Sequence, residues 1–232
     1  YFGKGCTSFV TLSKSVANEI KLNFSKPILN GFHPINEFLP VSISKVEARK
    51  NLNLSSNASY ILFFGLIRKY KGLDLLIDAF SIYQKKNKNT YLLIVGEFYE
   101  NKNKYLRQID NLGLKNKVLL YPEFINSDQA RNFFCASDCV AQTYRSASQS
   151  GVTPVAYHYG LPILVSNLNG LIKPIKNDDS GIITEINSTS IAKGLNEILQ
   201  PKALMKFRKN IQSSRSNYSW KKFNQQMIHF IE

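Results

Sequence analysis

Between Tyr60 and Leu199 the chain alternates short, wholly apolar runs with amphipathic stretches. Ile61–Phe64 stops at Gly65 and Tyr91–Val95 stops at Gly96. Runs this short, with no polar position between the apolar ones, predict strands buried on both faces rather than strands with one wet side. The segments between them keep a helical period. Leu73, Leu76, Ile77 and Phe80 fall at i, i+3, i+4 and i+7, and Tyr105, Ile109 and Leu112 mark a second helix with Gly113 as its C-cap. Further strands are expected at Val118–Tyr121, Cys139–Ala141, Pro162–Val165 and Gly181–Thr184. Helices are expected from an N-cap at Ser127 to Ala136, from Gly151 to Tyr159, and around Ile191–Leu199. The fold class this predicts is α/β, a Rossmann-like parallel sheet of about six strands with helices on both faces. Ligands of such sheets bind beyond the carboxyl ends of the strands, where the strand order reverses. The loops after Phe64, Val95, Tyr121 and Gln142 are therefore the places to search.

The two ends do not belong to this alternation. A strand is expected within residues 6–12, a helix over 14–23 capped by Ser13, and a short strand at Pro27–Leu29. A polar stretch follows to Asn57, with one short helix at Val46–Leu52. Near the other end Trp220, Phe223, Met227 and Phe230 fall at i, i+3, i+7 and i+10 behind Ser219, a fitting N-cap. The upstream strand needs a sheet to join, and the chain opens on Tyr1 rather than Met, so it reads as a fragment of something longer.

Of the 232 residues, 44% are hydrophobic and 20% charged, a globular composition that sets disorder aside. The 30 Lys and Arg against 16 Asp and Glu leave a formal charge of +14, which calls for an anionic partner: nucleic acid, a membrane surface or a phosphorylated substrate. Cysteines at 6, 135 and 139 are too few and odd in number for a disulfide framework, which fits a reducing compartment. None of His33, His158 and His229 stands at zinc-ligand spacing from them, so buried thiols are expected and no metal. No apolar run approaches the ~20 residues of a membrane span. The expected location is cytoplasmic, with peripheral contact at the inner face of the plasma membrane as a further expectation.

Three loops could carry chemistry. Gly65-Leu66-Ile67-Arg68-Lys69-Tyr70-Lys71-Gly72 places three cations within four residues at a helix start, between two glycines. That suits a phosphate or diphosphate, although a plain basic turn fits the same residues. It has neither the Walker spacing nor the dinucleotide fingerprint. The second is Tyr144-Arg145-Ser146-Ala147-Ser148-Gln149-Ser150-Gly151-Val152, small hydroxylated residues running into a helix whose N–H groups could cradle an anion; an ordinary capped loop stands beside that reading. The third, Asn169-Gly170-Leu171, reads first as a simple turn, and Glu97 after Gly96 first as a surface carboxylate.

Together these segments resemble family 4 retaining glycosyltransferases of the GT-B fold. The likeness is carried by Phe63–Leu76, Ile94-Val95-Gly96-Glu97, the Ser146–Val152 loop, Gly160-Leu161-Pro162 and the Ser219-Trp220 before the last helix. The resemblance implies the C-terminal, donor-binding half of a GT-B enzyme. Residues 1–28 would be the tail of an N-terminal acceptor domain, 29–57 the connection, 58–215 the nucleotide-sugar-binding domain, and 216–232 a helix returning toward the first domain. It also implies a nucleoside-diphosphate sugar as donor, with no metal or other cofactor, and a glycan or lipid-linked acceptor. Lys71 matches the family lysine on the diphosphate. The family arginine normally follows the first glycine, where Leu66 stands, and Arg68 is the substitute. These two would carry the catalytic charge, and Gly65, Glu97, Arg145, Ser148, Gln149, Ser150, Gly151 and Val152 would line the donor site. Phe124 and Ile125, in Pro122–Ile125, would flank the base. The family's two glutamates, eight positions apart, are replaced by Ala147 and Val155, which leaves the ribose without its usual charged acceptor, and Lys173 replaces a common glutamate. The activity implied is transfer of a hexose with retention, this fragment alone being inactive. Rival readings are a nucleotide-sugar 2-epimerase on the same architecture and a non-catalytic domain. Nucleic-acid binding is set aside because the apolar positions of the basic stretch Lys202–Lys222 belong to helix packing. That stretch suits an anionic membrane surface or a solvated face.

Overall fold

A computed structural model describes residues 2–232; Tyr1, the first residue of the expected 1–28 tail, lies outside the described residues. The elements run α1 (Phe2–Gly5), β1 (Phe9–Thr11), α2 (Lys14–Asn23), β2 (Ile28–Asn30), α3 (Lys45–Asn51), β3 (Ser59–Phe64), α4 (Leu73–Gln84), β4 (Thr90–Val95) and α5 (Lys102–Asn111). There follow β5 (Val118–Tyr121), α6 (Ser127–Ala136), β6 (Cys139–Gln142), α7 (Val152–His158), β7 (Ile163–Ser166), α8 (Asn169–Asp178), β8 (Gly181–Thr184), α9 (Ser188–Ile198), α10 (Pro201–Ser214) and α11 (Trp220–Ile231).

Six strands form one sheet in the order β5-β4-β3-β6-β7-β8, every pair parallel. Because successive side chains leave a strand on opposite faces, β3 feeds two separate cores. Ile61 and Phe63 pack with α4, α5 and α9, whereas Tyr60 and Leu62 pack with α6, α7 and α8. The chain builds outward from β3 through β4 to β5, then crosses back to lay β6 on the other side of β3. The switch point thus lies between β3 and β6, and the loops that leave it are 65–72 and 143–151. The rule for open α/β sheets points to those two loops and away from the others.

The upstream pieces find their own partner. β1 and β2 pair parallel with each other, Phe9 opposite Ile28, and α2 is their crossover. They form a second, two-stranded sheet instead of joining the first.

Two cap assignments change. Asn126, not Ser127, caps α6: its side chain accepts from Gln129 N while Gln129 returns a bond to Asn126 N, a reciprocal box that Ser127 cannot make. Ser13 precedes α2 as expected, but its hydroxyl lies 2.7 Å from that of Ser15 and makes no cap bond. Ser219 does cap α11, accepting from Lys222 N.

At the amino ends of the strands, away from the switch point, Asp138 is buried and gathers three cations. Its carboxylate accepts from Lys45 at 2.6 Å, from Arg49 at 3.0 Å and from Tyr60 N at 2.9 Å, with Arg208 at 3.8 Å. This cluster ties α3 and α10 to the base of the sheet.

Candidate active site

The loop after β3 is held open by its glycines. Gly65 and Gly72 take φ of +93° and +65°, values an L side chain resists. A Cβ on Gly72 would stand 2.1 Å from Thr143 O, so the two switch-point loops touch through backbone at this position. Thr143 Oγ1 donates to Gly72 O at 3.0 Å and Arg145 N to Tyr70 O at 2.6 Å, which fastens the second loop to the first. On the other side Ile67 N donates to Glu97 O and Tyr99 N to Ile67 O, which stitches the loop after β4 alongside.

Lys71 sits on a single 3-10 turn, Lys69–Lys71, and folds its side chain back over the end of β3. The residue is 7% exposed. Its ammonium donates weakly to Phe64 O at 3.4 Å, lies 5.8 Å from the centre of the Tyr144 ring, and crowds the space over Gly65, where a Cβ would be 2.9 Å away. Among the described residues no carboxylate pairs with it. Burial first, and the Arg68 charge second, pull its pKa from the ordinary 10.5 down to about 8. A cation hidden from water without a counter-charge carries a desolvation cost that an anion placed beside it would offset.

Arg68 has a different setting. It is exposed, with its guanidinium stacked 4.8 Å from the centre of the Tyr99 ring, and no carboxylate among the described residues holds its fork. The cation–π contact orients it and leaves its donors available.

Arg145, expected to line the donor site, has its guanidinium engaged within the protein. It grips Asp74, in the first turn of α4, through two parallel bonds of 2.7 and 2.8 Å, and also donates to Lys69 O. Burial works against the Asp74 carboxylate, but the Arg145 bonds and charge win and hold it below the usual carboxylate range. Arg145 is a strut between the loops.

In the second loop Ser150 is buried, and its hydroxyl accepts from Val152 N at 3.2 Å and lies 3.3 Å from Tyr144 OH. Tyr144, whose phenol burial pushes up to about 12, therefore runs from the ammonium of Lys71 to the hydroxyl of Ser150. Gly151 is the N-cap of α7 and Val152 its first residue, one position inside the expected start. Beneath α7, Thr153 exchanges bonds with the buried Gln142 at the end of β6. Gly170 of the third candidate loop supports the second: a Cβ there would be 2.3 Å from Ala147 O and 2.4 Å from Ser148 O. Its role is to let that loop lie flat against α8.

The other expected residues divide by position. Ser148, Gln149 and Ser150 line a cleft of about 470 Å³ whose opposite wall is Ser13, Asn30 and His33. Glu97 is exposed on the neighbouring rim. Phe124 is 74% exposed, whereas Ile125 next to it packs into the core, so these two do not share a face. Val155, where a glutamate was expected from the resemblance, packs against the same core. Thr143 and Asp74 were not expected in the site, and Tyr144 opened the second candidate loop without a role of its own; only the position of Thr143 and Tyr144, directly after a buried strand at the switch point, marks them in the sequence.

Residues 44–214 match the family described as glycosyl transferases group 1. The chain is a member of that family. It is 28% identical over 199 residues, 82% of its length, to an uncharacterized glycosyltransferase of Methanocaldococcus jannaschii, and 25% identical over 204 residues to a lipopolysaccharide 1,2-N-acetylglucosaminetransferase of Salmonella typhimurium. It spans 50% and 52% of those two proteins, about half of each. Among solved structures, HepE of Anabaena in complex with UDP superposes with a TM-score of 0.81 at 21% identity, over 97% of this chain and 64% of that one. The C-terminal domain of the Francisella tularensis group 1 glycosyl transferase LpcC superposes with a TM-score of 0.69 at 19% identity, over 78% of this chain and 96% of that domain. At these identities the likeness shows the fold, that of the Rossmann-like C-terminal domain of GT-B glycosyltransferases.

Proposed function

We propose that this chain is the donor-binding part of a glycosyltransferase that moves a hexose from a nucleoside-diphosphate sugar to a glycan or lipid-linked acceptor, with retention of configuration. The observation that carries the reading is the buried ammonium of Lys71, without a counter-charge, at the switch point between two glycine-shaped loops. A diphosphate lying along those loops would meet Lys71 from below and the stacked guanidinium of Arg68 from the rim. As the bond from the sugar to the diphosphate lengthens, negative charge grows on the leaving phosphate oxygens. Fixed cations in a water-poor recess stabilise that charge more than they stabilise the ground state. The solved structures of HepE with UDP and with UDP-glucose support a donor of that class.

The binding needs no metal ion in this reading, because Lys71 and Arg68 supply the compensating charge. The site works in the cytoplasm. Along α10 the cations Lys202 and Lys209 support a contact with an anionic membrane surface, while Lys206 is paired with Asp179 and Arg208 faces Asp138. Among the described residues no helix is long and apolar enough to cross a membrane. The test is calorimetric titration of UDP, GDP and ADP into the chain and its Lys71→Ala and Arg68→Ala variants. At least one nucleotide should bind, with affinity roughly tenfold or more weaker in each variant. Unchanged affinity in both removes the phosphate role. Product analysis without acceptor separates transfer from 2-epimerisation.

A further inference from the structure

The segment that follows β2 is pinned on both sides of one histidine. Gly31 N donates to Thr11 O and Ile35 N to Tyr218 O, each at 2.8 Å. Pro34 is buried, and the Phe32 ring meets the rings of Tyr218 and Phe223 edge-on. His33 lies between these anchors, and its half-buried ring forms part of the wall of the 470 Å³ cleft opposite Ser148, Gln149 and Ser150. The two ring nitrogens are unlike. Nδ1 is 3.1 Å from Pro34 O. A carbonyl only accepts, so Nδ1 carries the hydrogen, and the neutral ring then has its lone pair on Nε2. Among the described residues Nε2 has no hydrogen-bond partner.

Gly151 gives that lone pair room. Its φ of −69° and ψ of −12° are open to any residue, so the backbone does not call for glycine. Packing does not call for it either. Outside its chain neighbours, the one atom within 4 Å of a Cβ placed there is His33 Nε2, at 3.8 Å. At Gly72 and Gly170, by contrast, a Cβ would strike backbone. What the missing side chain at 151 provides is open space in front of the imidazole.

The charged side chains of the cleft leave the accepting role to His33. Lys14, Lys173 and Lys222 can only donate, and the one acid in the walls, Asp178, already accepts from Tyr157 OH at 2.8 Å and Tyr218 OH at 2.6 Å. The diphosphate of a nucleotide sugar is a diester with no O–H at neutral pH, so it cannot donate to Nε2, whereas a sugar hydroxyl can. Position favours the sugar as well. The cleft meets the recess over Lys71 at Ser150, whose hydroxyl faces that of Tyr144, and none of Pro122–Ile125, expected beside the base, lines it. A donor with its diphosphate over Lys71 places its sugar, and not its base, against His33. We infer that His33 is a specificity-determining residue of the transfer reaction, its Nε2 accepting a hydroxyl of the hexose that the donor carries. This role rests on the donor reading given above.

The test is calorimetric titration of UDP, GDP and ADP, and of UDP-glucose, GDP-mannose and ADP-glucose, into the full chain and its His33→Phe, His33→Gln and Gly151→Ala variants. For the pair that binds, His33→Phe keeps a ring and removes the lone pair. It should weaken the sugar nucleotide roughly tenfold and leave the bare nucleotide within about twofold, which also shows that the variant folds. His33→Gln, whose amide oxygen accepts, should recover most of the loss. Gly151→Ala should weaken the sugar nucleotide severalfold by filling the space before Nε2. An equal loss for nucleotide and sugar nucleotide in His33→Phe places His33 on the ribose or the phosphates and overturns the hexose assignment. Unchanged sugar-nucleotide affinity, or a nucleotide that binds only without its sugar, overturns the contact. Failure of all six compounds to bind the wild type overturns the donor reading and this role with it, whereas Lys71-dependent nucleotide binding with no effect of His33 overturns this role alone.

Discussion

Lys71→Met separates the folding cost of the proposed donor site from its binding gain. In the ligand-free chain the ammonium is held at about 8 against an ordinary 10.5. At ~1.4 kcal/mol per pH unit that difference is about 3 kcal/mol of penalty for keeping the charge inside. The folded-state value is the lower one, so the unfolded chain binds more protons between the two values. The penalty is present in full below pH 8, and stability recovers as pH rises from about 8 to 10.5. A methionine of similar reach removes the charge and keeps the packing. At pH 7 the variant should be more stable by up to about 3 kcal/mol, or roughly 6–12 °C in Tm for a chain of this length, and the gain should vanish by about pH 10.5. The same variant should lose nucleoside-diphosphate affinity by roughly tenfold or more. A further signature belongs to the wild type. At pH 8 about half of the molecules carry a neutral amine, and a bound diphosphate makes the charged form favourable, so binding should take up about half a proton. Calorimetry in Tris and in Hepes, buffers with different ionisation enthalpies, measures that uptake. A variant less stable than wild type at pH 7, or binding with no proton uptake at pH 8, refutes the account of Lys71 as a desolvated, ligand-awaiting cation.

Arg68→Ala should weaken nucleotide binding while moving the urea midpoint little, because the side chain is exposed and its guanidinium rests on the Tyr99 ring; a stability loss above ~1 kcal/mol would make it a structural residue. Gly72→Ala should cost at least ~2 kcal/mol in urea unfolding, since its Cβ would meet Thr143 O at 2.1 Å and its φ is +65°; a neutral outcome would mean the two loops are free to separate. Asp138→Asn should destabilise by about 3–5 kcal/mol by leaving Lys45 and Arg49 without their common counter-charge, with nucleotide affinity unchanged in the folded fraction.

Much of the fold was legible in the residues. A run such as Ile61–Phe64 can be satisfied only between two apolar layers, and Leu73, Leu76, Ile77 and Phe80 can lie together only on a helix, so strands and helices followed from local pattern. The loop at the end of the first strand was legible for the same reason, through Gly65, Gly72 and the cations between them. The capping box of α6 escaped because Asn126 and Ser127 are both good caps, and the choice lay with Gln129, whose side chain reaches back only to the former. The pairing of β1 with β2 escaped because Phe9 and Ile28 are too far apart in sequence for periodicity to connect them.

What the chain alone determined is therefore what depends on neighbours a few positions apart: the βα alternation, the glycine turns and the basic loop at the first strand's end. Tertiary structure decided what each charge does, because pairing and desolvation depend on groups far away in sequence. Asp74 claims Arg145 from 71 positions away, which turns a residue expected to line the donor site into a strut. Tyr144 and the end of β3 enclose Lys71 and offer it no carboxylate. Residues within one turn of one another set the shape of the backbone, and water set the meaning of the lysines, by being excluded from some of them and not from others.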